Sequence, residues 1–454
     1  MAMTVSGEEE DGQPDAAAGG PPPSRASDRP TRRLRVAAPR ALRSCQRIAC
    51  WTVFVLLLTV TFLLPRGDRR ILSVAEGAVV TQRYALVSWE VGNFPAKWLH
   101  RIYTVLPWSD TSLEERRADL NEYLALVERL RQARAALDRS SALSAPDVAA
   151  KQAAVDTLLR ERDRLRTSVE EYLESVISAV VDEQGLGAPG DFLWPPVDFR
   201  LDQPPRVLIT SPRDRIERME TVLVSAAVSV REMELAETRL LEKDGLSAVI
   251  EPTGGLATYP TVIGHDSDLL PLLEVAAHEW LHSYLFFHPL GQNYDRSDLL
   301  TQLNETLADM AGREIGGLAY TKLTGKAAPP IERPADPLAA PPPVPGVFSF
   351  SRFMRETRLR TDELLASGEI AGAEAYMEAR RVELNTHGYA VRKINQAYFA
   401  FHGSYGESPA SVSPVAGELF DLRLLAGSPG QLVKLVRGAS SYEEFRAVLD
   451  RERQ

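Results

Sequence analysis

Apolar residues recur at three- and four-residue steps from residue 111 to 182. Leu120, Leu124, Val127, Leu130, Ala133 and Leu137 make one stripe, and Val155, Leu158, Leu165, Val169, Leu173, Val176 and Val180 make a second. Ser140 to Asp147 interrupts them, with Pro146 near the restart. The spacing predicts an antiparallel helical hairpin with one apolar stripe per arm. Such stripes pack on their own domain or pair with a second copy in coiled-coil fashion, which makes a homo-oligomer through the hairpin a candidate assembly. The pattern then changes. Gly185 to Pro205 is rich in proline and reads as loop. Arg206 to Thr210 (RVLIT) predicts a buried strand, residues 219–243 a short apolar run and a helix, and Ser247 to Ile263 two strand pieces around Gly254-Gly255. Beyond these the chain is mainly helical, except for residues 329–345, where eight of seventeen are proline and an exposed loop is expected. The fold class is α+β and predominantly helical: a small mixed sheet packed on helices, with the hairpin as an added arm.

The N-terminal region follows other rules. Ile48 to Leu64 carries no charge, and seventeen residues is the short end of a membrane span; Pro65 and Arg66 close it. Seven arginines lie between residues 27 and 47 against four between 66 and 85, so the positive-inside rule puts the tail in the cytoplasm and the body outside. A single-pass protein anchored in the lipid bilayer is expected; a cleaved signal peptide ending near Ser73-Val74-Ala75 is the alternative. Residues 1–46, with an acidic run from Glu8 to Asp11, Pro21-Pro22-Pro23 and few large apolar residues, read as a disordered tail. Trp89, Trp98 and Trp108, beside Lys97, His100 and Arg101, either sit at the lipid headgroups or pack on the domain.

Composition narrows the function. Of 454 residues, 44% are hydrophobic and 25% charged, which suits a globular body with a sizeable core. The formal net charge is -10, and because the eight arginines and six acids before residue 48 make the tail positive, residues 66–454 carry -12. An acidic body excludes nucleic acid as its partner, since phosphate binding needs a basic surface. The two cysteines, Cys45 and Cys50, precede the main body, so it holds neither a disulfide framework nor a cysteine-based zinc site.

Candidate chemistry lies between Asp266 and Gly312. Asp266, Ser267 and Asp268 offer helix N-caps and Pro271 suits a first turn. The helix that follows contains His278-Glu279-Trp280-Leu281-His282. Histidines four apart share one helix face, so both rings reach one tetrahedral zinc, and Glu279 is placed to take a proton from zinc-bound water. The bland alternative is a buried helix with two satisfied histidines. A second helix carries Asn304-Glu305-Thr306-Leu307-Ala308-Asp309. Glu305 supplies the third protein ligand that an open zinc site needs. Asp309, four residues on, shares its face and is placed to accept the free N–H of a ligand histidine. Set among Leu303, Leu307, Ala308 and Met310, these carboxylates do not read as solvated surface; a salt-bridged structural pair is the alternative.

At these residues the chain resembles the gluzincin metallopeptidases, the thermolysin-like and aminopeptidase-N-like group, over about residues 250–320. The resemblance implies a zincin-like domain, Zn2+ held by His278, His282 and Glu305, Glu279 as general base, and Asp309 bonded to His278. It also implies that the strand near Gly254 to Tyr259 is an edge that holds an extended peptide by backbone pairing. Two features depart from the family. The 23 positions from His282 to Glu305 exceed the usual gap, and GGLATYP lacks the acidic residue that binds a substrate amine in the aminopeptidase branch. The family also needs a donor for the developing oxyanion. Residues 393–407 offer Tyr398, His402 and Tyr405, of which His402 and Tyr405 are the candidates and aromatic core the alternative. His100, His265, His288 and His387 have no supporting constellation and suit surface or capping roles.

The expected organisation is a tail (1–46), a span (47–65), a juxtamembrane segment (66–110), the hairpin (111–182), a zinc-binding core (183–325), a proline-rich loop (326–347) and a helical C-terminal part (348–454). The expected function is that of a membrane-anchored zinc metallopeptidase acting on a peptide or protein substrate. The competing expectation is a non-catalytic membrane-anchored scaffold whose zinc site is structural or vestigial.

Overall fold

Two long helices occupy the periodic stretch, α1 (Leu113–Ala142) and α2 (Val148–Glu183). After them come strands β1 (Phe199–Asp202), β2 (Arg206–Ser211) and β3 (Thr221–Val224), helix α3 (Val230–Asp244), and strands β4 (Ser247–Pro252), β5 (Gly255–Leu256) and β6 (Thr261–Gly264). The rest is helical: α4 (Leu269–Leu285), α5 (Asp298–Thr324), α6 (Phe350–Ala366), α7 (Ile370–Thr386), α8 (Gln396–His402), α9 (Val415–Leu425), α10 (Pro429–Val436) and α11 (Tyr442–Glu452), with short helical turns between. The structure, a computed structural model, describes residues 72–93, 97, 112–142, 146–187, 193–339, 342 and 344–454. The expected tail, the span Ile48–Leu64, Trp98, His100, Arg101 and Trp108 lie outside the described residues. Among the described residues no helix is long and apolar enough to cross a membrane.

The hairpin is not a free arm. Leu120, Tyr123 and Val127 of α1 and Val169, Leu173, Ile177 and Val181 of α2 are buried in one cluster with α4 and α5. Two acidic side chains of α2 anchor it to the sheet. Buried Glu170 accepts the backbone N–H of Leu201 at 2.8 Å, and Glu174 that of Phe199 at 2.9 Å. Both N–H groups lie on β1, an edge strand whose free donors need partners. Burial pushes the Glu174 carboxyl up to about 7, opposed by Lys97, whose Nζ lies 2.6 Å away. Lys97 also stands 3.2 Å from Glu170. It is therefore buried in a carboxylate cluster and does not face lipid headgroups. Trp89 likewise packs on the domain, its indole N–H donating to Asp202 at 3.4 Å.

One small mixed sheet was the expectation, and the chain builds two sheets of three strands. The first is antiparallel, in the order β3–β2–β4; the second is mixed, in the order β1–β6–β5, with β1 parallel to β6 and β5 antiparallel to it. Pro204 and Pro205 separate β1 from β2, because a residue without N–H cannot continue a ladder. Thr253-Gly254 separates β4 from β5, so the stretch read as two strand pieces gives three strands. Side chains alternate across β2. Val207 and Ile209 pack with α6, α7 and α8, while Leu208 packs under α3. The antiparallel sheet is thus covered on both faces.

Helices α4 and α5 run in close contact. Ala308, Gly312 and Gly316 repeat at one-turn spacing along α5. A Cβ on Gly312 would come within 2.9 Å of His278 Cα, and one on Gly316 within 2.6 Å of Glu274 Cα. The missing side chains let the two backbones meet. Gly312→Ala should destabilise the protein by about 1–3 kcal/mol through overpacking, despite its gain in helix propensity. Gly417 on α9 faces open space, so Gly417→Ala should instead stabilise by up to about 1 kcal/mol. Thermal denaturation of both variants checks the opposite signs.

Candidate metal centre

Helix α4 begins where the sequence expects, although Asp268 makes no capping bond; its carboxylate pairs with Arg131 of α1 at 3.0 Å. Trp280, Leu281 and Leu285 turn into the core, and the Trp280 indole donates to the Pro195 carbonyl at 2.9 Å. That orientation leaves His278, Glu279 and His282 facing a cleft of about 910 Å3. Glu305 enters the same cleft from α5.

The ligand atoms converge. His278 Nε2 lies 3.0 Å from His282 Nε2, and Glu305 Oε2 lies 3.8 and 3.6 Å from them respectively. Ligand atoms on a tetrahedral zinc stand about 3.3 Å apart, so these separations fit one small cation. Among the described residues this is the cluster whose donors lie within 4.8 Å of one another. Two imidazoles and one carboxylate make a donor set suited to zinc that leaves a coordination position open.

The electrostatics favour a cation at this point. Burial alone opposes charge on His282, but Glu305 overcomes it and holds the ring up at about 9. Burial and the neighbouring His282 push His278 down to about 3. Glu305 is buried, yet the His282 charge holds its carboxyl down at about 2. The Glu279 carboxyl goes the other way: burial raises it to about 7, the range in which a group both accepts and releases a proton near neutral pH.

Three residues that sequence reasoning passed over complete the site. Asn304 Oδ1 accepts from His282 Nδ1–H at 2.8 Å, which turns Nε2 toward the cluster. The Tyr294 hydroxyl donates to Glu305 Oε1, and Arg218 Nη1 donates to the Tyr294 oxygen at 3.5 Å. Asn304 stands next to Glu305 in the motif and was legible there. Tyr294 and Arg218 were not, because an intervening turn and a loop over 60 residues upstream of His282 deliver them.

The remaining expectations divide. Asp309 shares the buried face of Glu305 but makes no hydrogen bond to His278; burial raises its carboxyl, and its charged neighbours are Arg313 and Glu305. The histidine-orienting bond is made by Asn304 to His282. Of the two oxyanion candidates, Tyr405 lines the cleft. His402 does not: its Nε2 lies 3.9 Å from Glu251 of β4, and its ring packs on Tyr398 at 4.2 Å. Tyr398 is core, as the alternative held. His265 lies beside Asp266 at 3.3 Å, and His288 and His387 pack against Tyr284 and Phe348.

Strand β5 faces the motif helix across the cleft. A Cβ on Gly255 would stand 2.7 Å from the Glu279 carboxylate, and the backbone of Ala257 hydrogen-bonds that carboxylate. Since β5 ends the order β1–β6–β5, no strand among the described residues pairs with its outer edge. Trp194, Phe286 and Phe287 ring the mouth; they are 51%, 66% and 48% exposed, and Trp194 and Phe287 stand 5.8 Å apart. Compared with known proteins, this chain matches no family model, no curated protein and no solved structure.

Proposed function

We propose that the chain is a zinc metallopeptidase with a zincin-like arrangement of site residues, anchored in a membrane by Ile48–Leu64 with its body outside the cytoplasm. The observation that carries this reading is the position of Glu279. Its half-buried carboxylate lies between a three-donor cluster and a strand edge that no described strand pairs with, inside a cleft large enough for several residues of peptide. A site built only for structure closes zinc with four protein ligands, and among the described residues three converge here.

Zinc held by His278, His282 and Glu305 would polarise a carbonyl and acidify water. The chain's own groups supply the rest. The β5 edge pairs with an extended peptide and sets its scissile bond beside Glu279. Glu279 takes a proton from the attacking water as its oxygen bonds to the carbonyl carbon. The Tyr405 hydroxyl donates to the oxygen that gains charge. Glu279 then delivers the proton to the amide nitrogen as the C–N bond breaks, and the water's second proton passes to the same nitrogen, leaving a carboxylate and an ammonium group. Asn304 and Tyr294 hold His282 and Glu305 in place throughout.

Elemental analysis of the full chain should find one zinc. A peptide library incubated with it should yield new amino termini, a strong chelator should abolish them, and added zinc should restore them. A folded chain that refuses zinc would overturn the assignment.

A further inference from the structure

Arg218 has no place in that scheme, yet it lines the same cleft. It lies between β2 and β3 and is the only arginine or lysine among the described lining residues. Its side chain is fixed by Nε donating to Thr221 Oγ1 at 2.9 Å and by Nη1 donating to Tyr294 at 3.5 Å. Among the described residues Nη2 has no hydrogen-bond partner; Glu305 and Asp298 are acidic neighbours of the guanidinium, but neither forms a direct ion pair with it. Arg213, Arg392 and Arg423, in comparable half-buried settings, each hold a carboxylate through two bonds. A half-buried cation in a mostly apolar cleft is costly without an anion.

Position and charge then point to what the anion is. One hydroxyl, that of Tyr294, separates the guanidinium from metal ligand Glu305. With a divalent cation at the cluster Glu305 would serve the metal, and the Arg218 guanidinium would still have no carboxylate within ion-pair distance among the described residues. A guanidinium with a free N–H beside the scissile bond suits a carboxylate on the residue just beyond that bond. A mid-chain peptide carries one there only when that residue is Asp or Glu; a peptide's C-terminus carries one whatever the residue. We propose, on the metallopeptidase reading, that Arg218 binds the C-terminal carboxylate of the substrate, so that the enzyme removes a single residue or a dipeptide from the C-terminus. The absence of an acidic residue for a substrate amine in GGLATYP is consistent with recognition at that end.

The test uses one peptide library made in two forms, free acid and C-terminal amide. Retention of each form by the zinc-loaded full chain carrying Glu279→Gln is measured by equilibrium dialysis, and the products of the parent are identified by mass spectrometry. The free-acid form should be retained about ten- to a hundred-fold more strongly, the effect of one charge-assisted pair. Arg218→Met in the same background should remove the preference while keeping one zinc per chain. Arg218→Lys should keep part of it, and should the methionine variant fail to fold, an unchanged preference in the lysine variant overturns the proposal. Parent products should be free amino acids or dipeptides from the C-terminus. Interior cleavage that is equal for both forms overturns the Arg218 assignment and leaves the peptidase reading standing. Acid-selective retention without any cleavage supports the Arg218 site and overturns the peptidase reading instead. Neither retention nor cleavage overturns both.

Discussion

Glu279→Gln should leave one zinc per chain and slow peptide hydrolysis by about a thousand-fold, in the middle of the range for loss of a general base. The substitution is nearly isosteric, and this matters because the Glu279 carboxylate presses against Gly255. Glutamine fits the same gap and can still hydrogen-bond to its neighbours, so the fold and the metal cluster are undisturbed. What it cannot do is accept a proton from water and release it to the leaving amine. Steady-state hydrolysis and elemental analysis on the same preparation separate these effects. Hydrolysis within a few-fold of the parent would remove Glu279 from the chemistry.

Glu305→Ala should act on the metal itself. The cluster would keep two imidazoles and lose its one anionic donor, and zinc affinity should fall by more than the ten- to hundred-fold typical of losing only a supporting bond, thus by more than about a hundred-fold. Two neighbours suffer as well. The Tyr294 hydroxyl loses its acceptor, and His282 loses the charge that holds its ring at about 9. Competition titration against a chelator of known affinity measures the change. Equal affinity in parent and variant would remove Glu305 from the ligand set and leave two histidines, too few to hold zinc as proposed.

The residues that meet at the cluster were legible because helical geometry is local. His278 and His282 are four apart, Glu305 opens the next motif, and one turn of helix fixes which groups share a face. The small residues Ala308, Gly312 and Gly316 carried a further signal, the closeness of the two helices, that was not drawn from the sequence. The hairpin arms were equally plain, since stripes at three- and four-residue steps are a helical signal. What stayed hidden depends on chain returns. Nothing in a loop such as residues 212–220 announces that it will bring Arg218 to Tyr294. The choice between His402 and Tyr405 turned on the helix C-terminus at Gly403, beyond which the chain swings Tyr405 into the cleft while His402 stays against Glu251. Lys97 misled because its neighbours in sequence are basic and aromatic, whereas its neighbours in space are Glu170, Glu174 and Asp198. Spacing alone places Asp309 within reach of His278, but the hydrogen bond that orients a ligand histidine runs from His282 to Asn304.

The walls of the cleft differ in how freely they can drift. At Gly255 and Gly312 the boundary is bare backbone, and any added atom collides with Glu279 or His278. Selection can only keep such positions. At the mouth, Trp194, Phe286 and Phe287 are largely exposed and pack on one another. Exchanging them changes the entrance without touching the cluster. A lineage carrying this fold can therefore reshape the mouth one rim residue at a time, while the floor around the histidine–glutamate cluster stays fixed by side chains that are not there.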